Sequence, residues 1–346
     1  MSRGASAPVS RIGTLLITLG VLVPAVASAV TPNRVYRLHP RDVAQVPTFV
    51  QRVEPALVGL RVRVDEGSPS AATLGTQRFA SGVIFDARGF VLTVSYVLLD
   101  AVSIEARTRD DRVVKARLVG IDFDTGLGVV KLEGDESWPV APLGQSRDVI
   151  QGALTGTVGV DEEGTLVWVT SAVQGIRRFS AYWEYMLDRA FMVAPASPSW
   201  GGSAVVDARG AVVGIASLRL GQPPHVNLAI PLEKFLAIKE ELITLGRVAS
   251  RPARPWLGLY TVDEQGGPLI DGFSPVGPAR EAALQKGDRI IGVNGVRVRA
   301  QAEFYEQLWR ARAGDVVALS ILRGEVVRIV PVRTVDRHQL FRTTTR

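Results

Sequence analysis

The chain of 346 residues contains no cysteine, which excludes disulfide staples, thiolate nucleophiles and zinc–thiolate centres together. Histidine is nearly as scarce, with only His39, His225 and His338, so chemistry that needs an imidazole has few places to find one. No block of five or six like charges occurs, which argues against a nucleic-acid arm and leaves the +6 formal charge as a mildly basic solvated surface. No run beyond Val26 approaches the roughly 20 apolar residues that a membrane helix needs. What is abundant is apolar content, 47% of the residues. It is ample for packed cores over a length suited to roughly two to three domains.

The first residues carry Arg3 and Arg11, an apolar run from Gly13 to Val26, and then Ala27-Ser28-Ala29. This is the three-part pattern of a secretory signal peptide over residues 1–29, with cleavage expected after Ala29. An uncleaved inner-membrane anchor is the alternative, and membrane contact is expected only through that N-terminus. A periplasmic location follows as the expectation, and an exported protein without cysteine suits it.

After a lead segment, residues 30–49, short β-branched runs recur from Leu57 to Ile230 at the spacing of barrels or sandwiches. Two hairpins share one turn, Asp86-Ala87-Arg88-Gly89 and Asp207-Ala208-Arg209-Gly210, each closed by a glycine suited to the left-handed position. The period turns helical from Glu233 to Leu245, with Phe235, Leu236, Ile238, Leu242 and Leu245 on one face and Gly246 as the stop. Residues 247–255 read as a linker. A compact unit of residues 256–335 follows, with a Gly266-Gly267 turn, an Asn294-Gly295 hairpin signal, a helix from about Ala302 to Arg312 and two closing strands. Residues 336–346 read as a polar, frayed tail.

On these stretches the chain resembles the HtrA (DegP/DegS-like) family of trypsin-like proteases with a C-terminal PDZ domain. The resemblance runs from about Val50 to Val335. It is carried by Ser81-Gly82-Val83-Ile84-Phe85-Asp86 with Gly89 to Thr93, by Val119 to Asp122 through Leu127 to Leu132, by Gly201-Gly202, and by Asn227-Leu228-Ala229-Ile230-Pro231. It implies a mainly β chain, a trypsin-like double antiparallel β-barrel over residues 50–246 followed by one α/β PDZ domain.

The departures fall where the chemistry should be. The position of the catalytic histidine is Tyr96, whose phenol titrates near 10 and cannot serve as a general base at neutral pH. The triad aspartate falls at Gly126, and glycine can neither orient nor balance an imidazole. The nucleophile falls at Trp200, within Ser197-Pro198-Ser199-Trp200-Gly201-Gly202-Ser203. The glycine two residues earlier, whose N–H completes the oxyanion hole, is Pro198, which has no N–H. Losing one such donor costs about 100- to 1,000-fold in an intact enzyme.

Ser199 and Ser203 flank the slot, Asp122 and Asp124 lie beside the lost carboxylate, and Lys115 or Lys131 would be needed for a serine–lysine pair. No histidine is placed to help. Trp200 is expected to fill the vacated cleft, with Tyr96 against it. The aromatic segment Phe179 to Leu187 is expected to be either an exposed partner patch or a short packed helix.

The PDZ-like unit keeps more of its equipment. Trp256-Leu257-Gly258-Leu259 resembles the loop whose successive N–H groups receive a peptide's terminal carboxylate, and Phe304 and Leu308, one helical turn apart, are the candidates for lining the groove. The alternative is that both simply face the core. The expected function is an exported pseudoprotease that binds peptide segments or C-termini of envelope proteins, as scaffold, chaperone-like or regulatory factor. The alternatives are an active serine endopeptidase with relocated groups and a structural subunit of an envelope complex. The resemblance implies a homotrimer or mixed assembly with an active relative through Arg34 to Pro47. No cofactor, metal or nucleic-acid partner is expected.

Overall fold

Valine-, isoleucine- and leucine-rich runs broken by glycine turns form strands, because branched side chains fit a pleated, half-buried surface. The computed structural model describes residues 33–35 and 46–344. The expected signal peptide, His39 and most of the lead segment lie outside the described residues.

Six strands form a closed antiparallel barrel: β2 (Leu57–Val64), β3 (Gln77–Asp86), β4 (Phe90–Val94), β5 (Ala101–Arg107), β6 (Val113–Asp122) and β7 (Leu127–Leu132), in the order β2-β3-β4-β7-β6-β5. A second sheet holds β1 (Asn33–Val35), β8 (Leu154–Val160), β9 (Leu166–Ala181), β10 (Tyr185–Ala194), β11 (Ala204–Asp207), β12 (Val212–Leu220) and β13 (Val226–Pro231). Its order is β1-β9-β10-β13-β12-β11-β8, and the further pairing of β8 with β9 returns the sheet on itself. The double barrel implied by the resemblance is therefore present. Both Asp-Ala-Arg-Gly turns close as expected, with Gly89 at φ 88° and Gly210 at φ 79°, each donating its N–H to the turn aspartate's carbonyl.

Two short helices, α1 (Thr48–Val53) and α2 (Ala71–Leu74), flank β2 along the chain, and the expected helical segment is broken in two, α3 (Leu232–Leu236) and α4 (Lys239–Leu245), around Ile238 at φ −121°. Phe235, Ile238 and Leu242 are buried while Leu236 and Leu245 stay exposed, so only part of the apolar face expected from the sequence is used. Gly246, left-handed at φ 74°, ends the second helix as expected.

The C-terminal domain is a sheet of β14 (Leu259–Glu264), β15 (Gly267–Phe273), β16 (Arg289–Val293), β18 (Val316–Arg323) and β19 (Val326–Arg333), with β17 (Val296–Arg297) paired to β16 and one helix, α5 (Gln301–Leu308), which is shorter than the pattern suggested. Residues 247–255 are strapped down. Arg251 pairs with Asp122, and the Nε atoms of Arg251 and Arg254 lie 3.2 and 3.0 Å from Asp124 Oδ2.

The tail is not frayed. The backbone N–H of Arg342 donates to Asp100 Oδ1 at 2.7 Å, Asp100 N–H returns a bond to the Arg342 carbonyl at 3.0 Å, and Phe341 packs on the barrel core. Asp100 is buried at φ 60° and also accepts from Ser70 N–H at 2.9 Å. Asp100→Ala orphans two N–H groups and places alanine in the left-handed region. It should lower stability by about 2–4 kcal/mol in urea or thermal melts, and an unchanged midpoint would contradict this docking.

Candidate functional site

Tyr96, Gly126 and the Trp200-Gly201 segment, where the resemblance puts the triad, lie close together between the barrels. Strand β4 runs into a short 3-10 turn, Ser95–Val97, that presents Tyr96; Ser95 N–H donates to the Gly126 carbonyl at 2.8 Å; and a Cβ added to Gly201 would lie 3.0 Å from the Tyr96 hydroxyl. The buried Arg78 guanidinium holds the turn by donating to the Tyr96 and Leu99 carbonyls.

Each position has become structural. Tyr96 donates its hydroxyl proton to the Ser217 carbonyl on β12 at 2.9 Å, tying the first barrel to the second, and burial raises the phenol above its ordinary value of 10. Gly126 sits at φ 77° in the β6–β7 turn, directly beneath Tyr185. A Cβ there would come within 2.8 Å of the Tyr185 hydroxyl, which itself donates to the Thr125 carbonyl at 2.8 Å. Trp200 does not pack on Tyr96 as expected. It is half-buried against the second barrel's cluster of Val173, Phe191, Val193 and Val213, with the Arg219 guanidinium 4.9 Å over its ring.

The neighbouring hydroxyls are committed as well. Ser199 Oγ donates to the Val160 carbonyl at 2.8 Å, Ser203 Oγ donates to the Ser199 carbonyl at 2.5 Å, and Ser197 Oγ donates to that same carbonyl at 3.2 Å. Neither described histidine meets a serine: His225 Nδ1 lies 2.8 Å from the Gly221 carbonyl, and His338 Nδ1 lies 2.8 Å from Asp336 Oδ1. Asp122 caps Thr125 N–H and pairs with Arg251. Burial raises the Asp124 carboxyl against the opposing pull of Arg254. Lys131 donates to the Leu132 carbonyl and Lys115 is exposed. Among these described side chains no histidine or lysine is hydrogen-bonded to a serine hydroxyl, and Pro198 has no N–H to donate.

The C-terminal domain's candidate loop is present but filled. Trp256 N–H is consumed by the Val335 carbonyl at 3.0 Å, so it is not one of the free donors the sequence suggested. Leu257 and Leu259 N–H groups instead donate to the carboxylate of Glu184, at 3.0 Å to Oε2 and 2.8 Å to Oε1. Gly258 between them, at φ 82°, is where a Cβ would meet the Val276 carbonyl at 3.0 Å. Phe304 and Leu308 are fully buried in the domain core rather than open to a groove. Tyr305, one residue along α5, is the side chain that reaches out.

Glu184 is the residue the sequence did not single out. It sits at the turn of the β9–β10 hairpin, so the aromatic segment Phe179 to Leu187 is neither a helix nor a free patch but the tip of a long ribbon. Tyr182 stacks edge-on against Tyr260 at 5.2 Å, Trp183 lies parallel to Tyr185 at 6.0 Å, and Met186 packs on the second domain's core. Glu184 is 0% exposed at φ 55°, a conformation that costs a non-glycine residue about 1–2 kcal/mol and persists only where surrounding contacts impose it. A lone glutamate inside Tyr-Trp-Glu-Tyr was the available signal, since a carboxylate carried into apolar surroundings must find donors.

A model of the trypsin-like peptidase domain matches residues 80–215, and a PDZ-domain model matches residues 255–334. The serine endoprotease DegS of Salmonella typhimurium is 27% identical over 344 residues, covering 89% of this chain and 93% of DegS. A probable periplasmic serine endoprotease, DegP-like, of Pseudomonas fluorescens is 28% identical over 266 residues, 71% of this chain and 54% of that protein. Among solved structures, the serine endoprotease from Yersinia pestis superposes with a TM-score of 0.51 at 26% identity, covering 84% of this chain and 97% of that one. With the double barrel, the appended domain and these relatives in agreement, the chain belongs to the HtrA family of trypsin-fold serine proteases with a C-terminal PDZ domain.

Proposed function

We propose that this HtrA family member acts by binding rather than cutting. It is an exported pseudoprotease that takes peptide segments or C-termini of envelope proteins through its PDZ domain, as scaffold, chaperone-like or regulatory factor. The observation that carries the inactive half is the cleft itself, where the triad positions hold a hydrogen-bonded phenol, a glycine under Tyr185 and an indole, beside a proline at the oxyanion position. Acyl transfer needs a nucleophile, a base within about 3 Å of it and inward-pointing donors, and here all three are wanting. The binding half is supported by the loop at Leu257 to Leu259, whose N–H groups already hold a carboxylate. A periplasmic site of action agrees with the signal-like N-terminus and with the description of the Pseudomonas fluorescens relative. Among the described residues no helix is long and apolar enough to cross a membrane.

Purified protein incubated with casein should leave it intact under conditions where an active relative degrades it, and cleavage abolished by Ser199→Ala or Ser203→Ala would defeat the reading. The triple variant Tyr96→His, Gly126→Asp, Trp200→Ser should also fail to digest casein, because Tyr185 occupies the aspartate's space and Pro198 supplies no N–H. Recovery of measurable hydrolysis would show that the cleft is obstructed less than its geometry implies. Peptides with free C-termini should bind about 10- to 100-fold more tightly than their amides in fluorescence polarisation, the worth of charge-assisted hydrogen bonds to the terminus. Equal binding of acid and amide would contradict carboxylate recognition.

A further inference from the structure

The hairpin tip enters the second domain in the way an added strand enters a peptide groove. Tyr182 carbonyl accepts from Thr261 N–H on β14 at 2.9 Å, and two residues later the Glu184 side chain meets Leu259 N–H and Leu257 N–H. As the hairpin chain advances from 182 to 184 its partners fall from 261 to 259, so the segment runs antiparallel to β14 with its acidic end at the loop. From the other side α5 closes on it. The Tyr305 hydroxyl donates to the Ala181 carbonyl at 2.6 Å and accepts from Glu184 N–H at 3.1 Å, while Glu306 pairs with Arg178 at 2.7 Å. An extended peptide adding to a sheet edge would use these same backbone groups.

We propose that Ala181 to Glu184 is an internal ligand of the PDZ groove, with the Glu184 carboxyl standing where a peptide's terminal carboxylate would bind. External C-termini then bind only molecules whose hairpin tip has let go, and their apparent affinity is reduced by that fraction. The inference rests on the peptide-binding reading for its consequence, though the occupied groove stands on geometry alone.

The plug carries a pH dependence. Burial pushes the Glu184 carboxyl from its ordinary 4.5 up to about 7, against the opposing pull of the Leu259 and Leu257 N–H donors and the Arg337 guanidinium. The groups facing it are Arg337 from the C-terminal segment, whose Nη2 lies 3.5 Å from the Glu184 carbonyl, and the Tyr305 phenol from α5. Because the docked value lies above that of a released, solvated carboxyl, docking takes up a proton. The plug is tightest below pH 4.5 and loses that advantage as pH rises through 7.

The test uses the full chain, with Glu184→Gly, which accepts φ 55° without strain, and Glu184→Gln, which removes the titration. The probe is a pool of fluorescein-labelled heptapeptides ending in Val, Leu, Ile, Phe or Ala, as free acids and as amides. Wild type should gain about tenfold in affinity for the acids between pH 6 and pH 8, the ratio that proton uptake at 7 against 4.5 gives. Glu184→Gly should bind at least tenfold more tightly than wild type at pH 6, and both variants should show a flat pH course. Equal affinity and equal pH course in wild type and Glu184→Gly overturn the proposal while leaving peptide binding intact. Amide hydrogen exchange reads the plug without any peptide: Leu257 and Leu259 N–H should exchange at least tenfold faster in Glu184→Gly, and unchanged exchange overturns it. Faster exchange with no binding of the acids to either protein upholds the internal ligand and overturns the peptide-binding reading instead.

Discussion

The structure depends most on what the tip of one hairpin does with two adjacent residues. Glu184 gives its carboxylate to the Leu257 and Leu259 N–H groups of the PDZ domain, and Tyr185 lays its ring over Gly126 in the first barrel. A buried carboxylate is expensive unless donors meet it, so once the hairpin carries Glu184 into apolar surroundings the C-terminal domain must supply those donors. The same ribbon thus meets both the loop of the PDZ domain and Gly126, the position proposed for the triad aspartate. Arg251, Arg254 and the docked tail add further ties between the parts, on Asp122, Asp124 and Asp100.

The side chains at the proposed triad positions are held by structural contacts. Tyr96 bridges the barrels through the Ser217 carbonyl, and Trp200 leans into the second barrel's cluster under Arg219. Ser199 and Ser203, the hydroxyls nearest the old nucleophile, bond to backbone carbonyls on β8 and on their own loop. A group held in this way lowers the energy of the folded state, and it is correspondingly unavailable to a substrate. On the proposed reading, stability and inertness at this cleft come from the same hydrogen bonds.

Much of the fold was legible in the sequence because its signals are local. Gly89, Gly210, Gly246 and Gly295 each occupy a left-handed position that only their residue type fills cheaply, and the alternating runs between them fix strand faces. The proposed triad positions Tyr96, Gly126 and Trp200 likewise rest on local signals, since they are named from flanking motifs. What escaped was set by distant partners. The helix is interrupted at Ile238, Phe304 and Leu308 turn inward while the Tyr305 hydroxyl meets the hairpin tip, and the tail is tied down by Asp100 242 positions away. No periodicity announces such pairings. Glu184 was the largest omission, because its role exists only where the ribbon of one domain crosses the loop of another.

The central claim is that the former scissile pocket contains no activated hydroxyl. Intact-mass spectrometry of the purified chain after prolonged exposure to a fluorophosphonate tests it most directly, since that reagent phosphonylates, with loss of fluoride, any serine whose proton a neighbouring base can take. The account predicts an unchanged mass. A stoichiometric adduct that maps to Ser197, Ser199 or Ser203 would contradict it.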